Sequence, residues 1–355
     1  MKVLYAIQGT GNGHLSRAME IIPYLEKKCE VDVLISGIQS DLEFQFPVKY
    51  RFTGLSFIFG KKGGVDIWGT YKKAKIKSLL HEINAVDVEQ YDFVLNDFEP
   101  VSAWACKQKG VPCIGLSNQM AVFNKHFPKP KNIDPIGKIV LKRYAPVTSK
   151  FGFHFEAFDY NIFTPIIRSE IRAQKCTYEG HYTVYLPSYD DQRILKVLSQ
   201  IKEIKWQVFS KHNQETIEHE NITIQPINNE AFVKSMATSE GILCGAGFAT
   251  PSEALFMKKK LMVIPMKGQY EQQCNALALK QMGVGVISNL KKNKVDKIRN
   301  WIHDTNLVEV AYPNITDEIV DAILNDFKNN PKPKKKKDTT FDLLTAKQFR
   351  KSLIP

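Results

Sequence analysis

Residues 244–285 read CGAGFATPSEALFMKKKLMVIPMKGQYEQQCNALALKQMGVG, and their punctuation decides the fold. An apolar run ends at Cys244, Gly245 and Gly247 let the backbone approach a ligand, and a helix is expected to open near Thr250-Pro251, where proline suits the first turn. Free N–H groups at such a start suit an anion, a diphosphate among them. Glu253 is expected in the first turn of this helix, placed to accept from two neighbouring hydroxyls such as a ribose diol. Next comes a short apolar strand, LMVIP (261–265), and then a second helix start at Glu271-Gln272-x-x-Asn275. A carboxylate beside a carboxamide forms a pair suited to reading sugar hydroxyls.

The same alternation runs outward in both directions. YTVYLP (182–187), WQVFS (206–210), ITIQPI (222–227), GILCG (241–245) and VGVIS (284–288) are strand-like, with helical patterns between them. In the first half VLYAI (3–7), VDVLIS (31–36), YDFVLND (91–97) and PCIGLS (112–117) repeat the theme. Strands alternating with helices imply a parallel sheet with crossovers. Because 355 residues exceed what one core usually absorbs, two α/β domains are expected, over 1–160 and 176–330, followed by a basic linker and C-terminal segment over 331–355. Around 151–180 the alternation lapses into an aromatic, proline-containing stretch (FGFHFEAFDYNIFTPIIRSEI, 151–171), and the interdomain connection is expected here.

Composition narrows the function classes. Apolar residues make up 43% and charged ones 24%, with no apolar run long enough to span a membrane and no separate leader-like segment, so a cytoplasmic location is expected. Six cysteines lie scattered without a C-x-x-C pair, which argues against a zinc site or a disulfide framework. The charge of +12 is uneven: 24 basic against 17 acidic residues over 1–175, 17 against 18 over 176–330, and 8 against 2 over 331–355. No nucleic-acid-binding motif accompanies it, so nucleic acid is not an expected partner. WGTYKKAKIKSLLHEI (68–83) reads as a basic amphipathic helix, either an ordinary surface helix or a contact with an anionic membrane, and PKPKKKK (331–337) is a charged linker.

The segment 244–285 resembles the nucleotide-sugar half of GT-B glycosyltransferases, and the opening GTGNGHLSRA (9–18) resembles their N-terminal glycine-rich loop. Family 28 and its relatives, the lipid II-forming N-acetylglucosaminyltransferase and the galactolipid synthases, are the nearest branch. The resemblance implies two Rossmann-like domains facing across a cleft, and transfer of a sugar from a UDP-sugar to an acceptor hydroxyl, with inversion. It implies further that Glu253 binds ribose, that Glu271 and Gln272 contact the sugar, and that Gly245, Gly247, Phe248, Ala249 and Thr250 face the diphosphate. Ser188 matches the place of a further donor loop. This chain departs from the family 28 pattern with Glu at 271, where Gln is frequent.

In such a fold the nucleotide belongs to the second domain, so Gly11, Asn12 and Gly13 line the cleft on the acceptor side. His14 then stands as general base or as a stabiliser of the diphosphate and acceptor, with Asp97 as its orienting partner and Glu99 as the alternate. No D-x-D pair is present, so no required metal or other cofactor is expected, and helix N-termini and loop amides would meet the departing diphosphate. The uneven charge favours a lipid, lipid-linked or small-molecule acceptor, with peripheral attachment to the cytoplasmic leaflet as one expectation. A non-hydrolysing UDP-N-acetylglucosamine 2-epimerase-like enzyme and a non-catalytic nucleotide-sugar-binding protein are the alternatives.

Overall fold

Val3 to Ile7 are all fully buried, and that is why an unbroken apolar run rather than an alternating one forms the central strand. The computed structural model describes residues 1–37, 44–54, 58–60, 64–66, 76–130, 141 and 143–330. Strand β1 (Lys2–Gln8) pairs in parallel with β2 (Glu30–Ser36) on one side and with β6 (Phe93–Asp97) on the other. Beyond β2 lies β3 (Tyr50–Phe52), and beyond β6 lie β7 (Cys113–Ser117), β8 (Ser149–Phe153) and β9 (Ile162–Phe163), all parallel. A separate antiparallel pair joins β4 (Ile58–Gly60) and β5 (Gly64–Asp66). Helices in this half include α1 (Asn12–Glu26), α2 (Ile76–Ala85), α3 (Pro100–Lys109) and α4 (Asn118–Ala121).

The second sheet repeats the plan around β10 (His181–Tyr185), flanked in parallel by β11 (Lys205–Ser210) and β14 (Gly241–Gly245). Its strand order is β12-β13-β11-β10-β14-β15-β16, with β12 (Ile217–His219) antiparallel to β13 (Ile222–Pro226), and β15 (Lys260–Ile264) and β16 (Gly285–Val286) at the other end. After the connecting turn α5 (Ser169–Arg172) come α6 (Asp191–Leu198), α7 (Asn229–Thr238), α8 (Ala249–Phe256), α9 (Tyr270–Gln281), α10 (Val295–His303) and α11 (Thr316–Asn329). The chain therefore has the expected α/β class, two Rossmann-like domains of the GT-B kind. In each sheet the strand order reverses at the first strand, between β1 and β6 and between β10 and β14. Crevices open at the carboxyl ends of strands flanking such a reversal, and these ends carry the two glycine-rich turns.

Three sequence readings are revised. The stretch 151–171 is not purely a connection: Phe151, Phe153 and Phe155 are buried, and β8 and β9 extend the first sheet. Gly152 is needed there, since a Cβ would meet the Ala121 backbone nitrogen at 2.6 Å. The helix α11, read with the second domain, returns to the first: Lys28 Nζ lies 2.7 Å from both Asp317 and Asp321, Ser149 donates to Asp326, and the Phe93 and Phe327 rings are 4.9 Å apart. On α2 the apolar residues Leu79 and Ile83 are buried in the first domain's core, so they are not free to enter a membrane. Lys77 is exposed, while residues 72–75 and the run 331–355 lie outside the described residues. Among the described residues no helix is long and apolar enough to cross a membrane.

Candidate active site at the interdomain cleft

The turn after β1 must be tight, because a Cβ on Gly9 would stand 2.9 Å from Ile35 Cγ2. It delivers α1 with Gly11 as its N-cap, no side-chain cap and no acidic residue in the first turn. From the second domain, α8 begins at Phe248 in the same uncapped state. The two starts face each other, since a methyl placed on Gly13 would lie 3.6 Å from that of Ala249. Gly11 and Gly247 both look into open space, and a Cβ on Gly245 would meet only Gln272 Oε1, at 4.0 Å. Two uncapped helix N-termini converging on one cleft favour an anion there. Thr250 is partly exposed beside them, as is Asn12. The Phe248 side chain points the other way and packs on Phe155, ring centroids 5.0 Å apart, so only its backbone can serve a ligand.

His14 stands in the first turn of α1, and its Nδ1 lies 2.8 Å from Asp97 Oδ1. Nδ1 also lies 3.1 Å from Arg17 Nη2, which can only donate, whereas the Asp97 carboxylate can only accept; with the shorter contact to Asp97 made by Nδ1–H, Nε2 is the basic nitrogen of the ring. That nitrogen has no hydrogen-bond partner among the described residues, and 16% of the side chain is exposed. Asp97 is fully buried. Burial alone would raise its carboxyl, but the charge of Arg17, with the contacts that His14 and Arg17 make to it, outweighs this and holds the group below the usual aspartate range.

The end of β6 carries a feature absent from the sequence reading. Phe98 adopts a left-handed backbone, φ 56°, with its ring buried against Tyr144 at 4.8 Å. For a bulky residue this conformation costs about 1–3 kcal/mol. The turn sends Asp97 toward α1 and Glu99 the opposite way. Glu99 is fully buried and caps α3, accepting from Val101 N at 2.6 Å, Ser102 N at 2.7 Å and Ser36 Oγ at 2.6 Å. It is thus a structural cap and not an alternate to Asp97.

Two donor-half carboxylates are also placed differently from expectation. Glu253 is the fifth residue of α8, in the second turn, and 4% exposed. Arg168, from the connection before α5, holds both of its oxygens, Nε to Oε1 at 2.6 Å and Nη2 to Oε2 at 2.9 Å. Glu271 does not project freely into the cleft. It accepts from Asn118 Nδ2 at 2.5 Å and Gln119 Nε2 at 3.0 Å, both on α4, and so latches the two domains together. Burial pushes its carboxyl above the ordinary glutamate range, an effect that His14 and the Gln119 and Asn275 hydrogen bonds partly oppose.

Gln272, half-buried, accepts from Met266 N at 2.9 Å, which fixes its carboxamide and leaves Nε2 to donate. Asn275 ties α9 to the glycine turn through Ala246 O at 3.3 Å. Ser188 lies partly exposed in the turn after β10, without a hydrogen bond among the described residues. The reading of sequence overlooked Arg17, Asn118, Gln119 and Arg168. For Asn118 a signal existed, since it directly follows the strand next to β6 and so must reach the same crevice.

The family model described as Glycosyl transferase family 1 matches residues 1–305. No curated protein matches the sequence. Among solved structures, the fold is similar to that of MurG from Acinetobacter baumannii, with 17% identity over 91% of this chain and 99% of that one and a TM-score of 0.54. It is also similar to the glycotransferase of kitacinnamycin, at 14% identity over 100% and 99% and a TM-score of 0.53. UGT89C1 from Arabidopsis thaliana, solved in complex with UDP, gives 11% identity over 98% and 99% and a TM-score of 0.52.

Proposed function

The chain belongs to glycosyl transferase family 1, and on that premise we propose that it transfers a sugar from a UDP-sugar to an acceptor hydroxyl by direct, inverting displacement. The observation that carries this reading is the His14–Asp97 pair, with Nε2 unpartnered, set across the cleft from the uncapped start of α8. His14 Nε2 takes the proton of the acceptor hydroxyl as its oxygen attacks the anomeric carbon. The bond from that carbon to the diphosphate oxygen breaks on the opposite face, and UDP leaves with the electron pair. Asp97 stabilises the imidazolium that forms.

The leaving diphosphate is met by backbone N–H groups around Gly245, Gly247, Ala249 and Thr250, without a required metal. Gln272 donates to a sugar hydroxyl through Nε2. Glu253 offers the ribose the lone pairs that Arg168 leaves unused, since a carboxylate has about four acceptor sites. Glu271 reaches the sugar only where its oxygens exceed the needs of Asn118 and Gln119. UGT89C1 was solved with UDP, which agrees with a uridine nucleotide here.

The acceptor is a lipid or lipid-linked alcohol at the cytoplasmic leaflet. What supports this is the charge split, with 24 basic against 17 acidic residues over 1–175 and 8 against 2 over 331–355. Attachment would rest on lysine charge, at about 1 kcal/mol per residue near an anionic surface.

Thermal-shift titration with UDP-glucose, UDP-galactose, UDP-N-acetylglucosamine, UDP-glucuronate and GDP-mannose tests the donor, one UDP-sugar being expected to raise the melting temperature. With that donor, His14→Ala should lower turnover by roughly 10²–10⁴ while UDP binding is kept. Normal turnover in the variant refutes the base, and donor interconversion without acceptor identifies an epimerase. Co-sedimentation with anionic but not neutral vesicles, lost at high salt, is expected of the membrane reading.

A further inference from the structure

Arg17 lies one helical turn beyond His14 and is 7% exposed, an unusual position for an arginine unless its whole fork is engaged. Its Nη2 donates to Asp97 Oδ1 at 2.6 Å and Oδ2 at 2.7 Å, its Nε donates to Oδ2 at 3.1 Å, and the same Nη2 stands 3.1 Å from His14 Nδ1, so the guanidinium charge bears on the imidazole directly as well as through Asp97. Nη1 reaches Asn118 Oδ1 at 3.3 Å, and the guanidinium carbon stands 5.2 Å from the centroid of the Phe153 ring. The Asn118 amide is in turn fixed from the other domain, donating to Glu271 at 2.5 Å. One continuous path, His14–Asp97–Arg17–Asn118–Glu271, thus joins α1, β6, α4 and α9 across the cleft.

The consequence is electrostatic. A fully buried carboxylate needs a counter-charge. If His14 were the only cation beside Asp97, the pair would hold its charge by keeping a proton on the imidazole or on the carboxyl, and in either arrangement His14 would be a poor acceptor for another proton. Arginine is charged at every working pH and matches both carboxylate oxygens.

We propose that Arg17 is the positioning residue of the His14–Asp97 pair, keeping Asp97 charged while His14 stays neutral, and that Asn118 and Glu271 make this hold depend on closure of the two domains. The proposal rests on His14 being the base, but its geometry makes a claim about protonation that can be read without turnover. The groups facing Asp97 are His14 and Arg17 on α1 and Tyr5 on β1, whose buried hydroxyl has no hydrogen-bond partner among the described residues; Glu271 on α9 interacts electrostatically with His14 and Arg17 directly, besides its link through Asn118.

The test is an NMR titration of the His14 imidazole in the full chain, its resonance assigned by its loss in His14→Gln. Arg17→Met should raise the titration midpoint by about one pH unit or more, a tenfold gain in proton affinity of the coupled pair. Arg17→Lys, which keeps the charge and loses the fork, should raise it less. Asn118→Ala should move it in the same direction by a smaller amount. A midpoint that stays in place or falls in Arg17→Met overturns the proposal, because a purely structural role would not move it upward. Should Arg17→Met not fold, Arg17→Lys and Asn118→Ala decide by the same criterion. Failure of the base reading would show separately, as normal turnover in His14→Ala with the titration shifts intact.

Discussion

Replacing Arg168 by Met should lower stability by about 3–4 kcal/mol at pH 7, and the loss should shrink as the solution is made more acidic. Arg168 and Glu253 are nearly withdrawn from water, with side chains 12% and 5% exposed, so solvent screening does little for either. Removing one member of such a pair typically costs about 3–5 kcal/mol, because the other is left charged and buried. The two sides of this pair are not equivalent. Arg168 also donates to Glu170 and to Asn229 Oδ1 at 2.8 Å, so Glu253→Gln leaves the guanidinium with partners and should cost less, about 1.5–3 kcal/mol.

Glu253, by contrast, has no other side-chain hydrogen bond among the described residues. A stranded glutamate can escape by taking up a proton, at ~1.4 kcal/mol per pH unit above the ordinary glutamate value near 4.3, which sets a ceiling of about 4 kcal/mol at pH 7. Such an acid binds its proton more tightly folded than unfolded, so its contribution is present at low pH and is lost as pH rises. Urea unfolding at pH 7, 6 and 5 should therefore show the Arg168→Met deficit falling by roughly 1.4 kcal/mol per unit, and the double variant with Glu253→Gln should lose less than the sum of the two. A deficit below about 1 kcal/mol at pH 7, or one that is flat with pH, would refute the picture of a buried, mutually dependent pair.

Two further outcomes follow from the donor-side geometry. Gln272→Ala should weaken binding of the intact nucleotide-sugar while leaving UDP affinity within about twofold in calorimetry, as expected if its Nε2 donates to the sugar as proposed; equal loss for both ligands would make it structural. Glu271→Ala strands two carboxamides on α4, so backbone amides at 118–121 and 270–275 should exchange with deuterium faster than in the wild type, and unchanged protection would show that the latch does not hold the halves together.

Both glycine turns, the strand-helix alternation and the pairing of His14 with Asp97 were legible in the sequence. The first two are local: apolar runs of strand length and glycines at fixed offsets constrain the chain wherever it goes. The pairing came from topology, because residues at the carboxyl ends of neighbouring parallel strands are brought to one crevice. The alternation Phe151, Phe153, Phe155 was also a strand signal, period two on one face, hidden by the neighbouring aromatic residues and prolines. Glu99 was misassigned for a physical reason: it and Asp97 are two residues apart, and only the left-handed turn at Phe98 decides which one faces the cleft.

By itself, then, the sequence determined the class, the two parallel sheets and which loops meet at the cleft, since these depend on short-range pattern and on the few ways such sheets can be wound. Tertiary structure alone decided what each buried charge is paired with. Arg168 on Glu253, Arg17 on Asp97 and the α4 carboxamides on Glu271 join residues 85, 80 and 152–153 positions apart. No periodicity encodes such partners. They are selected by the cost of leaving a charge or an amide unmatched once the core has closed around it.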